Sequence, residues 1–240
     1  MTDNAKYILI AIVTLLTSAI HTSGQEQFLP FDSLSLYSPS SDIINGEEWS
    51  YIKKNVGHPF FINDSWNIAD VSYNGNQYNG VSVKYNIETD ELVVFMKEND
   101  RALTFKLNKQ FLNSFVFYHP VSKNKIAFEY SSLKKDEPKF IYTKAFEGKL
   151  EYFIRYQKYI NSKVSGNYTG EYLERAQMFL KIDDKLYELQ TRNDFYALFE
   201  NEKNEIKKYM RKNHIKFDRK NPEIFTDVIR FTDSLIIPAH

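Results

Sequence analysis

Apolar and polar residues alternate along much of the chain, starting shortly after His58. In the clearest segment, 81–87, apolar side chains occupy every second position and polar side chains fill the positions between them. A period of two is typical of a β-strand with one face in a core. The same alternation recurs over 102–107, 126–130 and 150–156. The pattern therefore predicts a series of half-buried strands.

Residues that favour turns separate these predicted strands. Short strands recur at a spacing of about 10 residues, and they are separated by Asn74-Gly75-Asn76, Glu88-Thr89-Asp90 and Glu98-Asn99-Asp100. A later hairpin pattern turns at Asp183-Asp184. Such short intervals leave no room for the helix that usually connects parallel strands. The sequence therefore predicts an antiparallel meander and excludes a doubly wound α/β fold between residues 66 and 160.

The period of the apolar positions changes to that of helices near the carboxyl terminus. Segments 194–199 and 201–213 show helical spacing, and a third helix is predicted from the N-cap Asn221, with Pro222 at its first position, through Leu235. Short helices need a surface to cover, so we expect them to pack on the sheet. The predicted fold is α+β and mainly β: an antiparallel meander, either a curled sheet or barrel-like, followed by two or three C-terminal helices.

The amino terminus has the pattern of a secretory signal peptide. Tyr7–Ile20 form an uncharged apolar run after Lys6, and this run is too short for a spanning helix, which needs roughly 20 apolar residues. Thr22 and Gly24 would form the cleavage site. An uncleaved amino-terminal anchor is the alternative. Either interpretation places the body of the protein outside the cytoplasm: periplasmic, outer-membrane-associated or extracellular.

These patterns divide the chain into four regions. They are a signal peptide (1–24), an irregular lead-in or tether rich in serine (25–48), a β-rich domain (49–191) and a helical segment (192–240). Once the signal is cleaved, membrane contact would be peripheral at most.

The amino-acid composition excludes several functional classes. Lys plus Arg and Asp plus Glu are equal at 31 each, so net charge does not direct the chain to nucleic acid, and no nucleic-acid-binding motif occurs. The chain has no cysteine, which excludes disulfides, a thiolate nucleophile, cysteine-ligated zinc and an acylated lipoprotein cysteine. Electrostatic recognition would therefore depend on a local patch.

No short motif for catalysis or cofactor binding is present. The sequence lacks GxSxG, SxxK, GxGxxG, Walker, HExxH and EF-hand patterns, and no two histidines have metal-ligand spacing. The sequence therefore predicts no cofactor, no metal site and no catalytic residue. A carboxylate pair for glycoside hydrolysis has no short motif and stays open. The carboxylates considered for such a pair are Asp64, Asp70, Asp90, Glu91, Asp183 and Asp184.

Two features suggest binding surfaces. Residues 203–220 are rich in Lys and Arg, and the amphipathic helix within them would present Lys207, Lys208, Arg211 and Lys212 to an anionic partner, unless this is an ordinary solvated face. The second feature is the aromatic content, which strands favour in their cores. Some aromatic residues would alternatively line a glycan- or peptide-binding groove; the candidates are Trp49, Trp66, Tyr73, Tyr78 and Tyr85.

The first part of the β-rich region contains a distinctive series of residues: Gly57–Phe61, Asp64, Trp66, Tyr78–Val81, Lys84–Ile87 and Asp90. This series resembles a pattern of uncharacterised secreted and envelope proteins of Bacteroidota. The resemblance implies export and a β-rich body, and it implies no activity and no catalytic residue.

The sequence thus favours an exported, non-enzymatic protein that makes contacts in the cell envelope, with an envelope protein or an anionic surface as partner. One alternative is a module that binds a glycan or a small apolar ligand on an aromatic sheet face. A hydrolase with a carboxylate pair is the third hypothesis.

Overall fold

The computed structural model describes residues 29–30, 46–98, 101–162 and 169–236. The predicted signal peptide, most of the lead-in and the turn residues Asn99 and Asp100 lie outside these ranges. In chain order the strands are β1 Leu29–Pro30, β2 Glu47–Glu48, β3 Asn67–Tyr73, β4 Asn76–Asn86, β5 Glu91–Glu98, β6 Arg101–Lys106, β7 Leu112–Tyr118, β8 Lys125–Ser131, β9 Phe140–Glu147, β10 Leu150–Arg155, β11 Lys158–Asn161, β12 Glu171–Glu174, β13 Gln177–Ile182 and β14 Lys185–Glu188.

Three α-helices follow the strands in the described part of the chain. They are α1 Arg192–Leu198, α2 Lys203–Lys212 and α3 Thr226–Leu235. Short 3-10 turns occur at Lys109–Phe111 and Pro222–Phe225. The predicted mainly-β α+β fold with C-terminal helices is confirmed.

The strands form one large antiparallel sheet in the order β14-β13-β10-β9-β8-β7-β3-β4-β5-β6-β2, with β1 added in parallel to β4. The first run of hairpins, β3–β6, forms the amino-terminal half. The chain then returns to the free edge of β3, where β7 pairs with it and starts the carboxy-terminal half. The ends of the sheet, β14 and β2, do not pair with each other, so the sheet is open and not a closed barrel. Strands β11 and β12 pair separately as a small hairpin.

Local sequence explains the tight turns. Asn74 and Gly75 have φ angles of 51° and 77°, which is the left-handed backbone of a two-residue hairpin turn, and they join β3 to β4. Asp183, with φ of 51°, occupies the equivalent turn between β13 and β14. Asn and Asp tolerate this conformation better than most residues because their short side chains bond locally. These turns are where the sequence predicts them.

The side chains of one sheet face, the inner face, form a continuous core. The alternating residues Val81, Val83 and Tyr85 of β4 point into it, as do Tyr152 and Ile154 of β10. The helices cover the inner face in the carboxy-terminal half through Phe225, Val228 and Ile229, which are fully buried. The opposite, outer face carries the residues between these positions.

A close approach ties α3 to the start of β10. The Asp233 carboxylate accepts a hydrogen bond from the Leu150 backbone N–H at 2.7 Å. A Cβ atom on Gly148 would lie 2.9 Å from both Asp233 Oδ2 and Phe146 Cε1, so a side chain at this position would displace the Asp233 carboxylate or the Phe146 ring. Glycine at 148 therefore permits the contact between the helix and the sheet.

The helix boundaries differ from prediction in two places. The first helix begins at Arg192, because Thr191 and Asp194 form a capping box that accounts for the exposed backbone N–H groups. The third begins as a 3-10 turn over Pro222–Phe225, and the α-helix starts only at Thr226. Asn221 precedes the 3-10 turn without a side-chain capping bond.

Candidate functional site

The five aromatic residues suggested for a binding groove lie on opposite faces of the sheet. Tyr73, Tyr78 and Tyr85 are 0%, 3% and 1% exposed, because they belong to the inner face and pack in the core. Trp49 and Trp66 lie on the outer side, where Trp49 contacts Phe60 and Trp66 remains 37% exposed. The structure therefore does not gather the five residues into one groove.

Lys84 holds the segment before β3, residues 49–66, against the outer face. Its Nζ atom lies 4.6 Å from the centre of the Phe60 ring and 5.1 Å from that of Trp66. The same atom donates a hydrogen bond to Asp64 at 2.8 Å, and the Lys84 side chain is only 13% exposed. An enclosed ammonium group gains from the electron-rich ring faces and from the carboxylate. We interpret this group as a structural clasp.

Trp49 and Tyr51 form a pair of parallel rings on the same side of the molecule. Their centroids are 6.0 Å apart and their planes differ by 6°. Phe60 supports both rings with edge contacts at 5.9 and 5.4 Å. Burial, followed by the neighbouring Tyr172, raises the pKa of Tyr51 to about 12, so the phenol is neutral at physiological pH. Both residues are half-buried.

Helix α2 presents its four predicted cations to solvent. Lys207, Lys208, Arg211 and Lys212 are all exposed, and within the described residues none of them forms an ion pair with a carboxylate. Lys207 Nζ lies 5.4 Å from the centre of the Tyr196 ring. The patch is therefore a run of positive charge without neutralising partners on a chain of zero net charge.

The opposite side of α2 is used for packing. Ile206 and Met210 are 0% and 4% exposed. The Tyr209 ring stacks on Phe231 of α3, with centroids 4.1 Å apart and planes differing by 6°. Because the apolar side of the helix is buried in the protein, only its charged side is available to a partner.

The carboxylates considered for a hydrolytic pair are held by separate partners. Asp64 and Glu91 form ion pairs with Lys84 and Lys106, respectively. Asp70 accepts hydrogen bonds from the Tyr118 hydroxyl at 2.5 Å and from a backbone N–H. Asp183 and Asp184 form the turn between β13 and β14.

Asp90 is the sixth of these carboxylates, and it is buried. It accepts hydrogen bonds from the Tyr85 hydroxyl at 2.7 Å and from the Ile141 backbone N–H at 3.1 Å, and Arg155 Nη2 lies 3.5 Å away. Burial, with the adjacent Asp90 charge, raises the pKa of Tyr85. These contacts join the β4–β5 turn to β9 and β10, so Asp90 connects the two halves of the sheet.

A different set of titratable groups meets where the β11–β12 hairpin adjoins the 3-10 turn at 222–225. Lys158 Nζ donates to the Phe60 carbonyl at 2.7 Å and lies 3.7 Å from a Glu174 oxygen. The Tyr156 hydroxyl donates to Glu223 Oε1 at 2.5 Å. Burial lowers the pKa of Lys158 and raises that of Glu174, which the Glu223 charge raises further.

Sequence reasoning did not identify this cluster, because its members come from segments far apart in the chain. Glu174 is in phase with the buried residues Ala176 and Met178. This phase is the one local signal that the Glu174 side chain points inward. The cluster joins two carboxylates, a lysine and a tyrosine.

The two histidines that precede prolines act as local acceptors. His58 Nδ1 accepts from the Phe60 N–H, and His119 Nδ1 accepts from two backbone N–H groups of its own turn. Burial, followed by the charge of Lys158, lowers the pKa of His58. Within the ranges that the structure describes, no group of three or more His, Asp or Glu residues is arranged to hold a metal ion.

Comparisons with known proteins add no identity. No protein-family model matches the chain, and no curated protein or solved structure matches it either. Among the described residues, every helix is too short or too polar to span a bilayer.

Proposed function

We propose that this chain is an exported, non-catalytic contact protein of the cell envelope, and that helix α2 binds an acidic surface of a partner protein. The observation that carries the proposal is the exposed set Lys207, Lys208, Arg211 and Lys212, which has no carboxylate partner among the described residues. The apolar signal-like run 7–20 supports export.

Electrostatics favours a partner for this helix face. Two pairs of cations lie four positions apart on the helix: Lys207 with Arg211, and Lys208 with Lys212. Charges of the same sign at this spacing destabilise a helix by about 0.2–0.5 kcal/mol per pair. An acidic surface would convert this repulsion into attraction and would increase the rate of encounter. Because Ile206 and Met210 are buried, the helix has no apolar face left to insert into lipid.

The test is capture of partners from native cells by the tagged wild-type protein and by two variants. The first variant reverses the patch (Lys207→Glu, Lys208→Glu, Arg211→Glu, Lys212→Glu). The control reverses four exposed lysines elsewhere (Lys53→Glu, Lys123→Glu, Lys135→Glu, Lys139→Glu), which changes net charge equally. We expect an envelope protein to be retained by the wild type and the control and lost from the patch variant.

Salt provides a second check on the same experiment. Exposed ion pairs are largely screened when the Debye length falls from about 8 Å at physiological ionic strength to about 3 Å at 1 M salt. Capture should therefore decline steeply with salt. Equal capture by the patch variant, or capture that salt does not alter, would contradict the proposal.

The parallel rings of Trp49 and Tyr51 support a second candidate function, glycan binding on the outer side. Flat aromatic surfaces with polar edges suit the apolar faces of sugars. A glycan array probed with the wild type and with Trp49→Leu/Tyr51→Leu tests this, with the exposed Ile52→Ala as control. Binding that only the double variant loses would support glycan recognition, and the absence of any glycan bound by the wild type would remove it.

A further inference from the structure

The ladder between β8 and β9 ends early. It contains the pairs Glu129–Tyr142, Tyr130–Ile141 and Ser131–Phe140. Extending this register would pair residues 125–128 with 143–146, all of which the structure describes, but the ladder does not continue into them. Beyond the ladder the residues on both sides are still in β-conformation but do not pair with each other.

A cleft of about 380 Å³, called here the β8–β9 cleft, lies at this unpaired end of the two strands. Residues 125–127 of β8 and 143–145 of β9 form its walls. Ile154, Tyr156, Glu223 and Thr226 complete its lining. The lining therefore combines two strand edges, the apolar side chain of Ile154, the Glu223 carboxylate and two lysines, Lys125 and Lys144.

Each wall of the cleft is a strand that is paired on one side only. Over residues 125–129, β8 pairs with β7, and over 143–147, β9 pairs with β10. Backbone N–H and C=O groups alternate in direction along a strand, so half of those in each wall point away from the existing partner and into the cleft. Backbone polar groups require hydrogen-bonding partners, and an extended peptide supplies both donors and acceptors at the matching interval.

Glu223 is the single carboxylate that the described part of the chain contributes to the lining of the cleft. Glu223 accepts the Tyr156 hydroxyl, and among the described residues it has no Lys or Arg ion-pair partner. The nearby lysines are engaged elsewhere. Lys144 pairs with Glu147 and Glu151, and Lys125 lies over the Tyr118 ring, on the outer face.

We propose that the β8–β9 cleft binds an extended segment of a partner protein that adds a strand to the free edges of β8 and β9 and places a Lys or Arg against Glu223. This site is distinct from the basic face of α2 and does not depend on the proposed function. Main-chain hydrogen bonds provide the affinity, and Glu223 provides the preference for a basic residue.

The test is selection of a random heptapeptide library displayed on phage against the purified chain. We expect enrichment of β-branched sequences that contain Lys or Arg. Synthetic versions of the enriched peptides should lose binding when alternate backbone nitrogens are methylated, because methylation removes the N–H donors. Hydrogen exchange should show new protection at residues 125–127 and 143–145 when the peptide is present.

Two variants and two controls sharpen the result. Glu223→Gln should weaken the binding of a Lys-containing peptide about tenfold, as expected for loss of a charge-assisted contact. The control Glu200→Gln, at an exposed position, should leave this binding unchanged. Ala145→Phe, which fills the cleft, should abolish binding. The α2 patch variant should bind the peptide normally, so failure of this site and failure of the proposed function are distinguishable. No enrichment, or binding that survives both methylation and Ala145→Phe, would overturn the proposal.

Discussion

The two halves of the sheet bury their faces differently. In the amino-terminal half, β3–β6, residues on both faces are fully buried: Val83 on the inner face, and Val93 and Phe60 on the outer side, where the segment before β3 covers the strands. In the carboxy-terminal half, the helices cover the inner face, and the outer face is partly open, although Tyr142 and Phe153 are buried there. There Phe140 and Phe179 are only partly buried.

This difference indicates where partners can bind. The cover of the amino-terminal half is incomplete, because Ile68 of β3 and Leu103 of β6 are 48% and 40% exposed. The carboxy-terminal half has a partly open outer face, where Lys144, Glu151 and Lys181 form a row of ion pairs across three strands. It also contains the β8–β9 cleft and the basic face of α2. Contacts with partners are therefore expected mainly from this half.

The largest predicted effect is a difference in stability between variants at two phenylalanines on the outer side of the sheet. Phe60→Ala removes a ring that is 0% exposed and should reduce the free energy of unfolding by about 3–5 kcal/mol. Phe179→Ala, at a partly exposed position in the carboxy-terminal half, should cost about 1 kcal/mol. Urea unfolding of both variants measures the difference. Equal losses would show that the two outer sides are covered alike.

An intermediate effect is predicted for the connection between the halves. Asp90→Asn keeps the size of the side chain and a residue type that tolerates the φ of 60°. It removes the charge and weakens the bonds from Tyr85, Ile141 and Arg155, so we expect a loss of about 1–3 kcal/mol. The turn variant Asp184→Asn is the control and should change stability little. An Asp90→Asn protein as stable as the wild type would show that these contacts do not hold the halves together.

The smallest effect concerns pH. Burial, and then the Glu223 charge, raise the native pKa of Glu174 above its ordinary value of 4.5. The ionised form is therefore less favourable in the native state than in the unfolded chain, and this cost is absent below pH 4.5 and complete above the native pKa. Wild-type stability should thus fall relative to Glu174→Gln as pH rises through this window. Urea midpoints that change in parallel would contradict the assignment.

Local features of the sequence predict most of the fold. Alternation identifies the inward residues of β4 and β10, and Asn74-Gly75 identifies a hairpin turn, because both signals lie within a few neighbouring residues. The same alternation places Tyr85 in phase with Val81 and Val83, which is the core face. Tyr85 was therefore predictable as core from its phase alone, whereas Tyr78 is out of phase with Val81 and reaches the core because the β3–β4 register shifts between Ala69 and Val71.

The polar cluster and the cleft were not predictable in this way. Lys158, Glu174 and Glu223 meet through strand pairing and helix packing, which join distant segments. The alternation in β8 continues through Ile126 and Phe128 although its ladder with β9 has ended. The local pattern does not indicate which strand pairs with a given strand edge, so an unpaired edge can be identified only in the structure.

The most direct test places a photo-crosslinking amino acid at position 208 on α2 and, in a separate protein, at position 53 in the segment before β3. Both positions are exposed. After irradiation of native cells, position 208 should give a covalent adduct with an envelope protein, whereas position 53 should give none. An adduct from position 53 alone, or the absence of any adduct at equal expression, would contradict a contact function for the carboxy-terminal half.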